Sequence, residues 1–437
     1  MFNNIKNIFN ILDLRKKIFF TLGVILIYRL GCHIPTPGIN SQALTNFFNQ
    51  ARGTLFGMFD MFSGGALKRA SIFALGVMPY INASIIMQLL TAVVPSLERL
   101  SKEGADGHKK INQYSHYLTI FLCIVQSLFM AIGLEKMSAG SGGMVFVKYP
   151  GFFFRLITIV TFTAGTMIIV WLGEQITERG IGNGVSLIIL SGIIAEIPMD
   201  FWKTAALVRS GEMKLFTVIF LLLIIVLLIA LVVYVEQGYR KIPIQYARRV
   251  IGQKNYGGQS THLPLKVDQS GVIAVIFASS IIIIPGTLAQ FAKNPFINRI
   301  AEYLRPDGPL YVILYAPLII FFCFFYTAIS FNPVDIAENL KKSGGFIPGI
   351  RPGNSTAEYI EDIISKITLV GAVFVAFIAI MPIFLGRFFN IPFYFGGTSL
   401  LILVGVSIDT MKQIESHLLM RHYDGFMKKD KSSNTGD

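Results

Sequence analysis

Stretches free of Asp, Glu, Lys and Arg set the pattern of this chain. Eight of them cover residues 70–97, 111–134, 156–173, 215–235, 269–292, 308–334, 367–386 and 388–408. A helix needs about 20 predominantly apolar residues to cross a bilayer, so each stretch predicts a transmembrane helix. Residues 180–195 form a shorter stretch, closed by Glu178 and Arg179 on one side and by Glu196 and Pro198 on the other, and count as a ninth span. Residues 18–28 are apolar up to Arg29; if Arg29 snorkels to the far surface, residues 18–34 make a tenth. Lys16 and Lys17 ahead of that run look like the start of a signal peptide. No small-x-small cleavage site follows, so the run reads as an uncleaved first helix. The expectation is an all-α membrane protein with ten transmembrane helices.

Composition agrees. The 437 residues are 53% hydrophobic and 14% charged, with a mean hydropathy of +0.61. Soluble domains carry about 25% charged residues, so a soluble fold and a disordered chain are both excluded. The net charge of +13 could suggest nucleic acid, but its placement gives another reason. Ten spans put both termini on one side. With the termini inside, 24 of the 38 Lys and Arg fall on inner segments and 14 on outer ones. That is the sense of the positive-inside rule, and both termini are expected in the cytoplasm.

Three loops stand out. The inner loop 236–268 carries Arg240, Lys241, Arg248, Arg249, Lys254 and Lys266, and its only acids are its two end residues. The inner loop 335–366 carries Lys341, Lys342 and Arg351. Such loops either anchor on anionic lipid or form a platform for a large cytoplasmic partner; two of them around spans 7 and 8 favour the platform. The outer loop 36–69 contains an apolar piece, 56–68, broken by Gly64-Gly65 and too short to span. It either lies at the interface or folds back into the protein.

Candidate chemistry is sparse. Cys32, Cys123 and Cys323 are far apart and form no CxxC pair, and the six histidines form no HExxH. No metal site, cofactor site or catalytic constellation is expected, hence no enzyme. Gly180-Ile181-Gly182-Asn183-Gly184 follows no strand and reads as a break between spans 4 and 5, not a phosphate loop. The span middles lack carboxylates and bases, which argues against ion-coupled transport, although ten spans would suit a secondary transporter of small molecules. In span 2, Ser84, Gln88 and Thr91 share one face at i, i+4, i+7, with Ile81 and Ile85 one turn apart on a neighbouring line. Span 5 repeats the idea with Val185 and Ile189 after Asn183. The stripes either pack against other helices or face water, with branched apolar side chains forming a constriction that gates by dewetting.

Short motifs along the chain then become recognisable. They are Ile34-Pro35-Thr36-Pro37-Gly38, Met61-Phe62-Ser63-Gly64-Gly65-Ala66-Leu67, Trp171-Leu172-Gly173-Glu174-Gln175-Ile176-Thr177-Glu178-Arg179-Gly180, Gln259-Ser260-Thr261-His262-Leu263-Pro264-Leu265-Lys266, Phe331-Asn332-Pro333, and Pro348-Gly349-Ile350-Arg351-Pro352-Gly353. In this order the chain resembles the SecY family, the large channel subunits of the bacterial protein translocase.

The resemblance implies two pseudo-symmetric halves, spans 1–5 and 6–10, around an hourglass pore. The halves would cover 18–198 and 215–411, joined by an outer hinge loop 199–214, with cytoplasmic ends at 1–17 and 412–437. It implies a pore ring of Ile81, Ile85, Val185, Ile189, Ile276 and Ile402. It implies a plug holding Phe59, Met61, Phe62, Ser63, Gly64, Gly65 and Leu67, and a lateral gate with Gln88, Thr91, Asn183 and Ser279. Arg240, Arg248, Arg249, Lys254, Lys341, Lys342 and above all Arg351 would dock the ribosome or the SecA motor. SecE and SecG would be small membrane partners, secretory and membrane polypeptides the substrates, and the bacterial cytoplasmic membrane the location. The chain departs from the common family pattern at Gln253-Lys254, His116, Asn82 and Val185.

Overall fold

The computed structural model describes residues 11–50, 60, 62–140, 145–246, 249–251, 254–256, 261–291, 308–389 and 397–433. The first half of the chain begins with α1 (Leu12–Gly31) and a short α2 (Ser41–Gln50). Then come α3 (Met78–Val93), α4 (Pro95–Lys102), α5 (Ala105–Gly140), α6 (Phe152–Arg179) and α7 (Gly184–Arg209). The second half holds α8 (Leu215–Glu236), α9 (Gly271–Phe291), α10 (Pro309–Ser330), α11 (Pro333–Lys342), α12 (Asn354–Phe389) and α13 (Gly397–Ser433). Among the described residues six helices are long and apolar enough to cross a membrane, or seven if the bent pair α3–α4 is one span. The fold is therefore multi-pass and α-helical in the membrane.

Two spans differ from the sequence pattern. The stretch 70–97 is helical only from Met78. Residues 71–77 form buried turns, and the helix ends where Val94 turns extended ahead of Pro95, as a residue before proline tends to do. The axis then swings by 99° into α4. Such irregular backbone survives within a membrane protein only when its own polar groups are satisfied. Many of them are: Ser71 N donates to Ala66 O at 2.9 Å, Ile72 N to Ile34 O at 3.0 Å, Ala74 N to Ser71 O at 3.0 Å and Gly76 N to Phe73 O at 2.9 Å.

The ninth stretch is also corrected. It does not stop at Ala195: α7 starts at Gly184, runs through Glu196 and Pro198, and ends at Arg209. Most of the expected hinge loop 199–214 is thus helical. Glu196 does not close the span because Lys68 neutralises it at 2.6 Å.

The two long basic loops are one unit. β1 (Tyr239–Tyr246) pairs antiparallel with β4 (Thr261–Lys266), from Tyr239 opposite Lys266 to Ile244 opposite Thr261. Its far end also takes β5 (Gly345–Phe346) from the other loop. Alternation along β1 turns Ile242 inward, onto Leu265, Ile347, Ile360 and Ile364. A separate hairpin pairs β2 (Arg249–Ile251) with β3 (Lys254–Tyr256). Asp268 then starts α9, accepting from Gly271 N at 2.8 Å and from Ser270 Oγ at 3.0 Å.

Candidate functional site

Each expected ring residue lies on a helix that packs against the next. Ile81 and Ile85 come from α3, Val185 and Ile189 from α7, Ile276 from α9 and Ile402 from α13. α3 packs on α9, α9 on α13 and α13 on α7. The five isoleucines are 0–7% exposed, Val185 is half-buried, and all six belong to one apolar cluster. The arrangement supplies branched hydrocarbon from four helices and no charge.

The glycine-containing segment folds back into the protein. Phe62, Ser63, Ala66 and Leu67 are buried in that cluster or beside it; Phe59 and Met61 lie outside the described residues. Two α1 side chains hold its turn. Tyr28 Oη donates to Ser63 O at 3.1 Å and Arg29 Nη1 to Gly64 O at 3.1 Å. Arg29, expected to snorkel away, points instead at this segment. Ser63 Oγ donates to Asp60 O at 2.9 Å, and Leu67 N donates to Ser63 Oγ at 3.2 Å. The glycine pair serves a tight seat, not looseness. Gly64 and Gly65 have φ of +65° and +79°, and a Cβ on Gly64 would stand 2.8 Å from Gly192 Cα on α7.

Charges close this seat. Lys68 N donates to Asp60 Oδ1 at 2.9 Å, while Lys68 Nζ lies 2.6 Å from Glu196 Oε1 and 3.5 Å from Asp60 Oδ2. Burial pushes the Asp60 carboxyl up to about 6, against the pull of Lys68. Sequence reading missed the role of Tyr28, Arg29, Lys68 and Glu196. Lys68 and Glu196 are 128 residues apart, and no local period marks such a pair.

The expected gate residues each bond close to home. Gln88 Nε2 donates to Ser84 Oγ at 3.5 Å, Thr91 Oγ1 to Met87 O, and Ser279 Oγ to Ile276 O at 2.9 Å. Asn183 caps α7 by accepting from Ser186 N at 3.1 Å. The structure places them on α3, on α9 and at the start of α7, not in one hydrogen-bonded cluster.

The docking candidates spread over the β1–β4–β5 sheet and its flanks. Arg240 and Lys241 are exposed on β1, Lys341 and Lys342 at the end of α11, and Arg351 just before α12. Arg249 and Lys254 sit on the β2–β3 hairpin, and Arg248 lies outside the described residues. Lys412 Nζ donates to Tyr239 Oη at 2.9 Å, which ties β1 to α13.

Comparison with known proteins matches this architecture. The SecY family model covers residues 71–411. The protein translocase subunit SecY of Aquifex aeolicus is 47% identical over 426 residues, 97% of this chain and 99% of the relative. That of Escherichia coli K12 is 48% identical over 421 residues, 95% of this chain and 94% of the relative. The chain belongs to the SecY family. A solved SecY structure, described as one whose plug domain stabilises the closed translocation channel and maintains a membrane seal, has the same fold. Its TM-score is 0.66 at 20% identity, covering 92% of each chain.

In this SecY-family chain the break at residues 180–184 is a clasp between distant parts. Ile181 N donates to Thr21 Oγ1 of α1 at 3.1 Å, and Gly182 N to Gln413 Oε1 of α13 at 2.8 Å. Gly184 N donates to Thr177 Oγ1 at 2.9 Å. The turn thus joins α6 and α7 to both ends of the chain's helical core.

Proposed function

We propose that this chain is the conducting subunit of a bacterial protein translocase. It passes unfolded secretory polypeptides across the cytoplasmic membrane and releases apolar segments sideways into lipid. What supports the reading is that Ile81, Ile85, Val185, Ile189, Ile276 and Ile402, all uncharged, come from four helices packed in succession and share the apolar core, in a chain of this family; we read them as a collar. An apolar constriction offers an ion no solvation and breaks the water file. A polypeptide passes because branched hydrocarbon yields around it without binding it.

The remaining assignments follow from this. Ten helices in two similar halves, with both termini cytoplasmic, make the frame. The buried segment around Phe62–Leu67 is the plug. α3 and α5 on one side, with α9 and α10 on the other, form the lateral gate, and an apolar segment leaves through it by hydrophobic transfer. SecE and SecG brace the helices from the membrane. The inner sheet receives the SecA motor or the ribosome, with Arg240, Lys341, Lys342 and Arg351 facing the partner. The subunit itself makes and breaks no covalent bond.

Reconstitution tests the reading. Vesicles holding the chain with its small partner subunits, the motor and ATP should shelter a secretory precursor from added protease, and vesicles without the chain should not. Equal protection in both would remove the channel assignment. The docking role has its own variant: Arg351→Glu should raise the motor concentration needed for half-maximal export at least about tenfold, since a reversed charge loses electrostatic steering. Export unchanged at every motor concentration would dismiss it.

A further inference from the structure

The channel reading leaves one set of charges without a task. Glu196 lies seven residues after Ile189 and eleven after Val185, with Gly192 between. At helical spacing these four positions share one face of α7. The inner end of that face is collar. The middle, at Gly192, is the wall that Gly64 approaches. One turn beyond Gly192, at mid-helix, is Glu196, 2.6 Å from Lys68 Nζ. Lys68 reaches back to Asp60 by its backbone N–H and its ammonium. The side chains of Lys68, Asp60 and Glu196 are 17%, 9% and 25% exposed, so the set is largely shielded from water. With Arg29 on Gly64 O, two cations stand among two anions.

We propose that Lys68, Asp60 and Glu196 form an ionic latch that fastens the plug to the middle of α7, and that opening the collar along the same helix face releases it. The proposal rests on the plug reading above and goes beyond it by naming the fastening and its coupling to the collar. A shielded, balanced set of charges roughly breaks even against hydration, whereas removing one partner strands the others. The latch therefore holds the plug in register yet lets it leave when α7 moves. A polypeptide that displaces Ile189 also shifts Glu196, about 10 Å farther along the helix.

The test is the resting ion conductance of the full chain, assembled with its small partner subunits, in planar bilayers. Lys68→Met strands two carboxylates and should raise the leak most, by about tenfold or more. Glu196→Gln leaves Lys68 its contact with Asp60 and should raise it a few-fold. The charge exchange Lys68→Glu with Glu196→Lys should bring the leak back towards that of the parent. Continued export of a precursor by each variant shows that it is folded. Deleting residues 59–67 separates the two claims. If the deletion leaks but Lys68→Met and Glu196→Gln do not, the latch is wrong and the plug stands. If the single variants leak and the exchange does not repair them, the ion pair is not the fastening. If the deletion does not leak, the plug reading falls and the latch with it.

Discussion

Helix α7 carries two regions of opposite chemistry on one face. Ile189 is buried in hydrocarbon with the half-buried Val185 beside it in the N-terminal part, while Gly192 and Glu196 at its middle form a wall and a charge for the segment that ends at Lys68. The collar is regular helix, uncharged and set by side-chain shape. The seat is irregular backbone, held by named hydrogen bonds and ion pairs. The difference fits their proposed tasks. A collar that a polypeptide must pass gains nothing from specific contacts. A segment that returns to one place after each passage needs contacts that define that place, and directional polar groups define it better than hydrocarbon does.

That contrast can be broken from the seat side first. Gly64→Val should have the largest effect. The left-handed backbone costs a side chain about 1–2 kcal/mol, a factor of about 5–30 in the seating equilibrium, and the clash with Gly192 adds to it. Resting conductance should rise accordingly; a tight channel with Val at this position would mean that the seat is not as drawn.

Acidity should act next, and towards closure. Asp60 sits with Lys68 and Glu196, near Tyr28 and Cys32. Seated and buried it titrates at about 6; released to water it returns to about 3.9. The seated state therefore binds the proton more tightly. The effect is absent well above pH 6 and grows as the pH falls through 6 towards 4. Between pH 7.5 and 5 the seated fraction should gain about tenfold over the unseated one. Leak measured across that range should fall in the parent and stay flat in Asp60→Asn; equal pH profiles would remove Asp60 from the seat.

Tyr28→Phe sharpens the comparison further. It removes the hydroxyl that satisfies Ser63 O, a net loss of about 1 kcal/mol or roughly fivefold in seating. The smallest change belongs to the collar. Ile189→Ser should add little leak while the plug is seated, and a clear increment once residues 59–67 are deleted, because two seals in series hide each other's defects. Equal increments in both backgrounds would mean that collar and plug do not lie on one path.

Much of this molecule was legible as hydropathy. Most stretches without charge became helices, and the lines Ile81–Ile85 and Val185–Ile189 surfaced because branched side chains recur at helical spacing, whereas Ile276 and Ile402 entered only through the family resemblance. Two failures share a cause. Freedom from charge reports burial, not helix, so residues 71–77 read as part of a span although they are buried turns. Conversely, Glu196 read as the end of a span because the sequence does not show that Lys68 neutralises it. The β1–β4–β5 sheet was out of reach for a similar reason. Gln245 meets Phe346 across about a hundred residues of chain, and neither loop alone carries a strong strand pattern. Long-range pairing, polar in the seat and backbone in the sheet, is what local periodicity cannot express.

The central claim is that a polypeptide passes between the collar residues, and Ile85 is the position that tests it most directly. A photoreactive residue placed there, in membranes holding a stalled secretory chain, should crosslink to that chain and only when its signal sequence is functional. A folded, engaged complex that yields no crosslink from Ile85 or from the neighbouring α3 positions would contradict the account.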